Sequence, residues 1–159
     1  MTLVWARVDC KLVHGQISTA WVPHLKAETV IVADEDTAAD AWAQKIMRLG
    51  LPAEISLIRF TPPRGLPGLL TGAEMADKRI LLIFKSLAGA LEAAEAGLEF
   101  TALNLGNQLD QDRGAEKVRL AETFFAGREE LEALARLQRR GLKVSLQSVP
   151  SSKPVTWKP

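Results

Sequence analysis

Residues 80–84 read ILLIF, an apolar run without alternation, entered through Lys78 and Arg79. A strand with one wet face alternates polar and apolar residues. A strand with no polar face must be covered on both sides, which is the condition of a central strand in a parallel sheet. Parallel neighbours in turn need a crossover between them, usually a helix. That one run therefore predicts an α/β chain, and the remaining segments can be read against it.

They alternate as required. Leu3 to Val8 is a strand candidate that stops at Asp9, and Ile17, Ala20, Trp21 and Leu25 then recur at helical spacing, with Pro23 ending or bending the helix. Glu28 to Asp34 is a β-branched run closed by an acid. Thr37 and Asp40 open a helix with Ala39, Trp42, Ala43, Ile46 and Met47 inward, stopped by Gly50 and Pro52. Ile55 to Phe60 is the third strand, Thr61 to Gly68 a loop, and Gly68 to about Met75 a short helix. After ILLIF, Ser86 caps a helix carried by Leu87, Ala90, Leu91 and Ala94 and closed by Gly97. Phe100 to Leu105 is the fifth strand, and Gly106 to Gly114 a polar loop. Val118 to Ala121 reads as a short strand, Glu129 to Arg140 as an amphipathic helix, Lys143 to Val149 as the last strand, and SSKPVTWKP as a tail. The expected fold is α/β: an open, mostly parallel sheet of about seven strands with helices on both faces, forming one domain over residues 1–159.

Composition narrows the class. The chain has 159 residues, 47% of them hydrophobic, enough for one buried core. Lys and Arg total 20 against 19 acids, which argues against nucleic acid as a partner and against a membrane surface. A single cysteine, no membrane-length apolar run and no secretion signal in the first residues lead us to expect a soluble cytoplasmic domain.

In open parallel sheets, ligands bind beyond the carboxyl ends of the strands. Here those ends are Asp9 to His14, Asp34 to Asp36, Thr61, Lys85 with Ser86, and Asn104 to Asn107. The densest chemistry lies in RVDCKLVHGQISTAW, Arg7 to Trp21, where strand gives way to helix. The first amides of a helix lack intrahelical partners and can hold an anion. An imidazole at that position, His14, is a competent nucleophile towards phosphorus near neutral pH, so the motif points to phosphoryl transfer. The ordinary alternatives stay open residue by residue. On composition alone His14 reads as a surface or capping histidine, a reading its context has to overturn. Lys11 neutralises a phosphate or is a solvated loop lysine. Asp9 holds an imidazole N–H or caps a turn. Gln16 donates to a phosphate oxygen or sits in the first helical turn. Asp34 stands behind the site or opens the next helix. His24 reads as a surface histidine, and Trp5, Trp21 and Trp42 as core or interface residues. Cys10 and His14 make no metal site, since no second pair completes one. Neither GxGxxG nor GxxxxGK[ST] follows the first strand.

The stretch RVDCKLVHGQISTAW resembles the pattern R-[VI]-D-x-R-L-[IV]-H-G-Q-[VI]-x-x-x-W of the IIB subunits of the mannose/fructose/sorbose family of the bacterial phosphoenolpyruvate-dependent sugar phosphotransferase system. VIVADEDTAAD, ILLIFKS, LNLGN and VSLQSVP are similar, in order, to later parts of that family, so the likeness covers nearly the whole chain. Lys11 takes the place of the usual arginine and Cys10 that of a common second Asp. GNQLDQDRG departs from the family's GG- or GN-M-containing loop. Lysine keeps the charge but loses bidentate phosphate contacts.

The resemblance implies a protein-Nπ-phosphohistidine–sugar phosphotransferase. In it, His14 accepts a phosphoryl group from a phospho-IIA domain and passes it to a sugar entering through membrane subunits IIC and IID. His14 would be the nucleophile, with Lys11 and Asp9 beside it. Gly15, Gln16 and Lys85 would contact the phosphate, and Arg7 and Asp34 would lie behind them. No cofactor and no metal are implied, and a homodimer is admitted. A runner-up is a IIB-like regulatory module, phosphorylated on His14 without sugar transport, that signals carbon status through a protein partner. A third reading is a small-molecule-binding α/β domain whose His14 is never phosphorylated.

Overall fold

A computed structural model describes residues 2–109 and 116–159. Its main sheet has seven strands in the order β3-β2-β4-β1-β5-β8-β9. These are β1 (Thr2–Asp9), β2 (Thr29–Ala33), β3 (Leu57–Thr61), β4 (Arg79–Phe84), β5 (Ala102–Asn107), β8 (Lys143–Leu146) and β9 (Val155–Thr156). All pairings are parallel except β8 with β9. Two further strands, β6 (Val118–Ala121) and β7 (Phe124–Ala126), form a separate antiparallel hairpin. The expected open, mostly parallel α/β sheet is what the chain forms.

The ILLIF run lies in β4, between β2 and β1, and every residue of it is wholly buried. Side-chain alternation sends Ile80, Leu82 and Phe84 to one face and Leu81 and Ile83 to the other. The first face is covered by α4 (Leu66–Leu70), α5 (Leu87–Glu95) and α6 (Arg128–Arg139). The second is covered by a helix that begins after His14. Its Ile17–Trp21 turn is π-helical and continues into α1 (Val22–Leu25). Right-handed crossovers require this division. From β1 the chain steps outward to β2 and β3 under one face, then returns through β4 and crosses β1 to reach β5 and β8 under the other. Direction therefore reverses around β1, and the crevice at its carboxyl end is where a ligand is expected.

Several local expectations need correction. The helix expected from Thr37 onward is broken at Asp40 into α2 (Glu35–Ala39) and α3 (Ala41–Leu49). Asp40 adopts extended backbone there, and its carboxylate caps α3 through Trp42 and Ala43 N–H, each at 3.0 Å. Trp42 and Ile46, expected inward, are 68% and 51% exposed. Pro23 lies inside the continuous helix after His14, just past the π-helical turn, and the helix closes within one turn of it. Lys26 ends it, in the left-handed conformation at φ 51°. The helix expected from Gly68 to Met75 is α4 followed by a 3₁₀ turn, Ala73–Met75. The tail is not free: Val155–Thr156 pairs with β8, and Trp157 N–H donates to Val144 O at 2.9 Å. In the polar loop expected over 106–114, residues 110–114 lie outside the described residues. No helix among the described residues is long and apolar enough to cross a membrane.

Candidate functional site

Alternation along β1 puts Ala6 and Val8 into the core on one face and Arg7 and Asp9 on the other, beneath the helix that follows His14. Both charged side chains are wholly buried. Two buried opposite charges survive only if their remaining hydrogen-bonding capacity is met, and here it is met by distant parts of the chain. Arg7 Nε and Nη2 reach Asp9 Oδ2 at 3.1 and 3.0 Å. Arg7 Nη1 donates to Asn104 Oδ1 at 2.6 Å and to Gln147 O at 2.8 Å, and Nη2 donates to Ser148 O at 3.1 Å. The Trp21 ring lies 5.0 Å from the guanidinium carbon, and Trp21 Nε1 donates to Ser148 O at 2.9 Å. Arg7 thereby ties β1 to β5, to the end of β8 and to the helix above.

Asp9 is the hub. Its Oδ1 accepts the Lys11 N–H at 3.1 Å, which turns the chain at the strand end. Leu12 N–H returns to Asp9 O at 3.0 Å with Leu12 in the left-handed region at φ 54°, held there by its buried side chain. Cys10 N–H bonds to Asn107 O at 2.9 Å, fixing the loop to β5. Asp9 Oδ2 meets His14 Nε2 at 2.9 Å and Asn107 Nδ2 at 2.8 Å. Asn107 Nδ2 also reaches Gln16 Oε1 at 3.1 Å.

Burial alone would raise the Asp9 pKa. The His14 hydrogen bond, the Arg7 charge and the Asn107 hydrogen bond outweigh it and hold the carboxyl below its ordinary value. Burial likewise pulls Arg7 down, only partly offset by Asp9. An ionised Asp9 can only accept hydrogen bonds, so His14 Nε2 is the donor between them, and in the neutral ring the lone pair lies on Nδ1. The His14 side chain is 18% exposed, enough for a small group to reach it from solvent. The helix opens at Gly15 and Gln16 directly after it, with first-turn amides that have no intrahelical acceptor.

Of the residues singled out from sequence, the structure brings Arg7, Asp9, His14 and Gln16 into one hydrogen-bonded constellation, with Gly15 at its rim. The Lys11 side chain is exposed at the same loop. Lys85 and Asp34 are engaged elsewhere. Lys85 Nζ lies 3.5 Å from Asp34 and 3.7 Å from Asp36, and Asp34 caps α2 through Thr37 N at 3.0 Å and Thr37 Oγ1 at 2.6 Å. Sequence reasoning placed Asn104 to Asn107 at a ligand-facing strand end without giving any of them a role, did not single out the Gln147 and Ser148 carbonyls, and read Trp21 as core or interface. The asparagines did carry a signal, being polar residues at the buried end of a strand. Among the described residues no group of three or more His, Cys, Asp or Glu side chains is placed to hold a metal ion.

Comparison with known proteins agrees with this architecture. The family described as the PTS system sorbose subfamily IIB component matches residues 3–159. The N-acetylgalactosamine-specific phosphotransferase enzyme IIB component 2 of Escherichia coli is 28% identical over 149 residues, 94% of this chain and 92% of that protein. The PTS system fructose-specific EIIB component of Bacillus subtilis is 21% identical, over 95% of this chain and 90% of that one. Among solved structures, the PTS system N-acetylgalactosamine-specific IIB component 1 of Escherichia coli superposes with a TM-score of 0.88 at 24% identity, over 99% of this chain and 100% of that one. The IIBSor domain of the sorbose permease from Klebsiella pneumoniae superposes at 0.86 and 22% identity, over 98% and 93%. At such identities the superpositions speak for the fold. The family match over nearly every residue speaks for descent, and the chain belongs to the sorbose-type IIB component family of the phosphotransferase system.

Proposed function

We propose that this chain is a phosphocarrier whose His14 Nδ1 accepts a phosphoryl group from a phosphohistidine on a IIA partner. It then passes the group to a sugar entering through IIC and IID membrane subunits. The observation that carries this reading is the 2.9 Å contact between His14 Nε2 and the buried Asp9 carboxylate. In the neutral ring that contact selects the tautomer with its lone pair on Nδ1.

In the first step the Nδ1 lone pair attacks phosphorus, and the donor's P–N bond breaks with its electron pair returning to the donor imidazole. His14 then carries phosphate on Nδ1 and a proton on Nε2, a cationic ring that faces the Asp9 carboxylate. The His14 hydrogen bond, the Arg7 charge and the Asn107 hydrogen bond together favour the ionised form of Asp9. The amides opening the helix at Gly15 and Gln16 and the Lys11 ammonium offer donors to the phosphoryl oxygens. In the second step a sugar hydroxyl attacks phosphorus, the P–N pair returns to Nδ1, and the hydroxyl proton leaves to solvent or a nearby base. The neutral tautomer is restored. Relatives named for N-acetylgalactosamine and fructose support a sugar as the final acceptor.

The test is a reconstituted relay of phosphoenolpyruvate, the two general carrier proteins and a IIA domain, read by intact mass. An acid-labile phosphate on the wild type that is absent from His14→Ala is the expected result. An adduct that survives in His14→Ala, or none on the wild type beside an active donor, would sink the reading.

A further inference from the structure

Helix α3 is amphipathic, yet none of its residues is buried. Met47 packs half-buried onto the second core cluster. Trp42, Ile46 and Leu49, at i, i+4 and i+7, form one ridge on the opposite side, 68%, 51% and 76% exposed. An indole this open, continuous with two large aliphatic residues, is a feature of interaction surfaces. The charged residues within α3 are cations. Lys45 lies over the Trp42 ring at 5.9 Å, and Arg48 over Phe60 at 5.4 Å.

The C-terminal end of α3 adjoins the helix that follows His14. Ser18 Oγ, one turn after His14, donates to Gly50 O at the end of α3 at 2.5 Å, and Val13 packs on the same cluster as Met47. On the phosphocarrier reading, on which this inference rests, the reacting nitrogens must approach within about 3–3.5 Å of phosphorus. The donor is therefore a protein pressed over His14. A weak protein encounter buries up to roughly 600 Å² per partner, an area that takes in surface beside the loop as well as the loop. A second copy is the poorer occupant. Three side chains of this kind cover on the order of 500 Å², short of the roughly 800 Å² per partner of a stable complex. An anionic lipid surface is opposed by Asp40 at one end of α3 and exposed Glu54 beyond the other.

We infer that Trp42, Ile46 and Leu49 are the anchor by which the phosphohistidine-bearing donor domain docks beside His14. An apolar groove of the donor closes over the ridge, and its rim carboxylates meet Lys45 and Arg48.

The experiment measures the rate of His14 phosphorylation against donor concentration for wild type, Trp42→Ser with Ile46→Ser, and Val155→Ser. Val155 is 58% exposed on the outermost strand β9 and serves as a comparably apolar control. The expected result is a half-saturating donor concentration raised about tenfold or more in the double variant, with the saturated rate unchanged and the control like wild type. Unchanged half-saturation overturns the inference, as does an equal shift in the control. A ridge substitution that alters only the sedimentation-derived oligomeric state, or only flotation with phosphatidylglycerol vesicles, assigns the face to a second copy or to lipid and overturns it too. If the wild type itself is not phosphorylated, the phosphocarrier reading fails first. If the wild type is phosphorylated and the variants match it, the docking inference fails alone.

Discussion

A Cβ atom on residue 106 would stand 2.0 Å from Cζ and Nη2 of Arg7, so the missing side chain of Gly106 is the space the guanidinium occupies. The glycine serves close approach here. Any side chain at 106 displaces Arg7 from the partners that make its burial tolerable, and Asp9 is then left as an unpaired buried charge. Gly106→Ala is expected to cost about 2–4 kcal/mol and to slow phosphorylation of His14. A Cβ on Gly15 meets nothing within 4 Å, so Gly15→Ala should shift stability by no more than about 0.5 kcal/mol. Urea denaturation of the two variants checks the contrast; equal losses would show that crowding of Arg7 is not the reason for Gly106.

The low pKa of Asp9 makes a statement about acid stability. Its folded value lies below its unfolded one, so the carboxylate stabilises the fold fully above the ordinary Asp value near ~4. That contribution is lost as the pH falls through the folded value. Asp9→Asn removes it at every pH and leaves Arg7 buried without a counter-charge, an expected loss of about 3–5 kcal/mol near neutrality. Urea midpoints measured from pH 7 downward should converge for the two proteins in acid. Parallel curves would place the acid sensitivity on other carboxylates.

The order of strands and crossover helices was legible because each element carries its own period. ILLIF announced a doubly covered strand, β1 ends on Asp9, and β2 stops at Ala33, one residue before Asp34. The site was legible where its residues are close in sequence, from Arg7 to Gln16. It was not legible where the sheet assembles it. The strand-end rule put Asn104 to Asn107 on the same edge as Asp9 to His14, but not the contacts that Asn104 and the Gln147 carbonyl make with Arg7 across 97 and 140 residues. Asp34 and Lys85 both stand at strand ends, as Asp9 does. Which strand ends meet is set by the order β2-β4-β1-β5, and that order pairs these two with each other. The edge strand β9 has two residues, too short for any alternation. Trp42 and Ile46 were set on the inward face of α3 because hydrophobic periodicity gives the apolar stripe without saying what covers it.

Trp21 tests whether the clamp on Arg7 is a packing or a hydrogen-bonding device. The indole is 1% exposed, stacks on Trp5 at a centroid distance of 5.4 Å, and spends its N–H on Ser148 O, the carbonyl that also accepts from Arg7. Trp21→Phe keeps an aromatic face but loses that donor and some volume, so a loss of about 1–3 kcal/mol is expected. Thermal melts followed by circular dichroism measure it. A loss below about 0.5 kcal/mol would mean that the Arg7 hydrogen bond to Ser148 O suffices and that the indole N–H adds nothing to the clamp.

Lys11 separates recognition of phosphate from the building of the loop. Its backbone N–H holds Asp9 Oδ1 at 3.1 Å, a contact any residue but proline can make, while its side chain is exposed. Lys11→Ala should therefore leave the urea midpoint unchanged and slow phosphorylation of His14 about tenfold or more, since the ammonium is the cation of this loop nearest in sequence to the imidazole. Lys11→Arg keeps the charge and adds a bidentate fork suited to phosphoryl oxygens, so its rate should equal or exceed wild type. Single-turnover transfer from a saturating phosphorylated donor measures both variants. A rate unaffected in Lys11→Ala would assign phosphate binding to the Gly15 and Gln16 amides without the lysine. A parallel fall in stability would make Lys11 a structural residue of the loop.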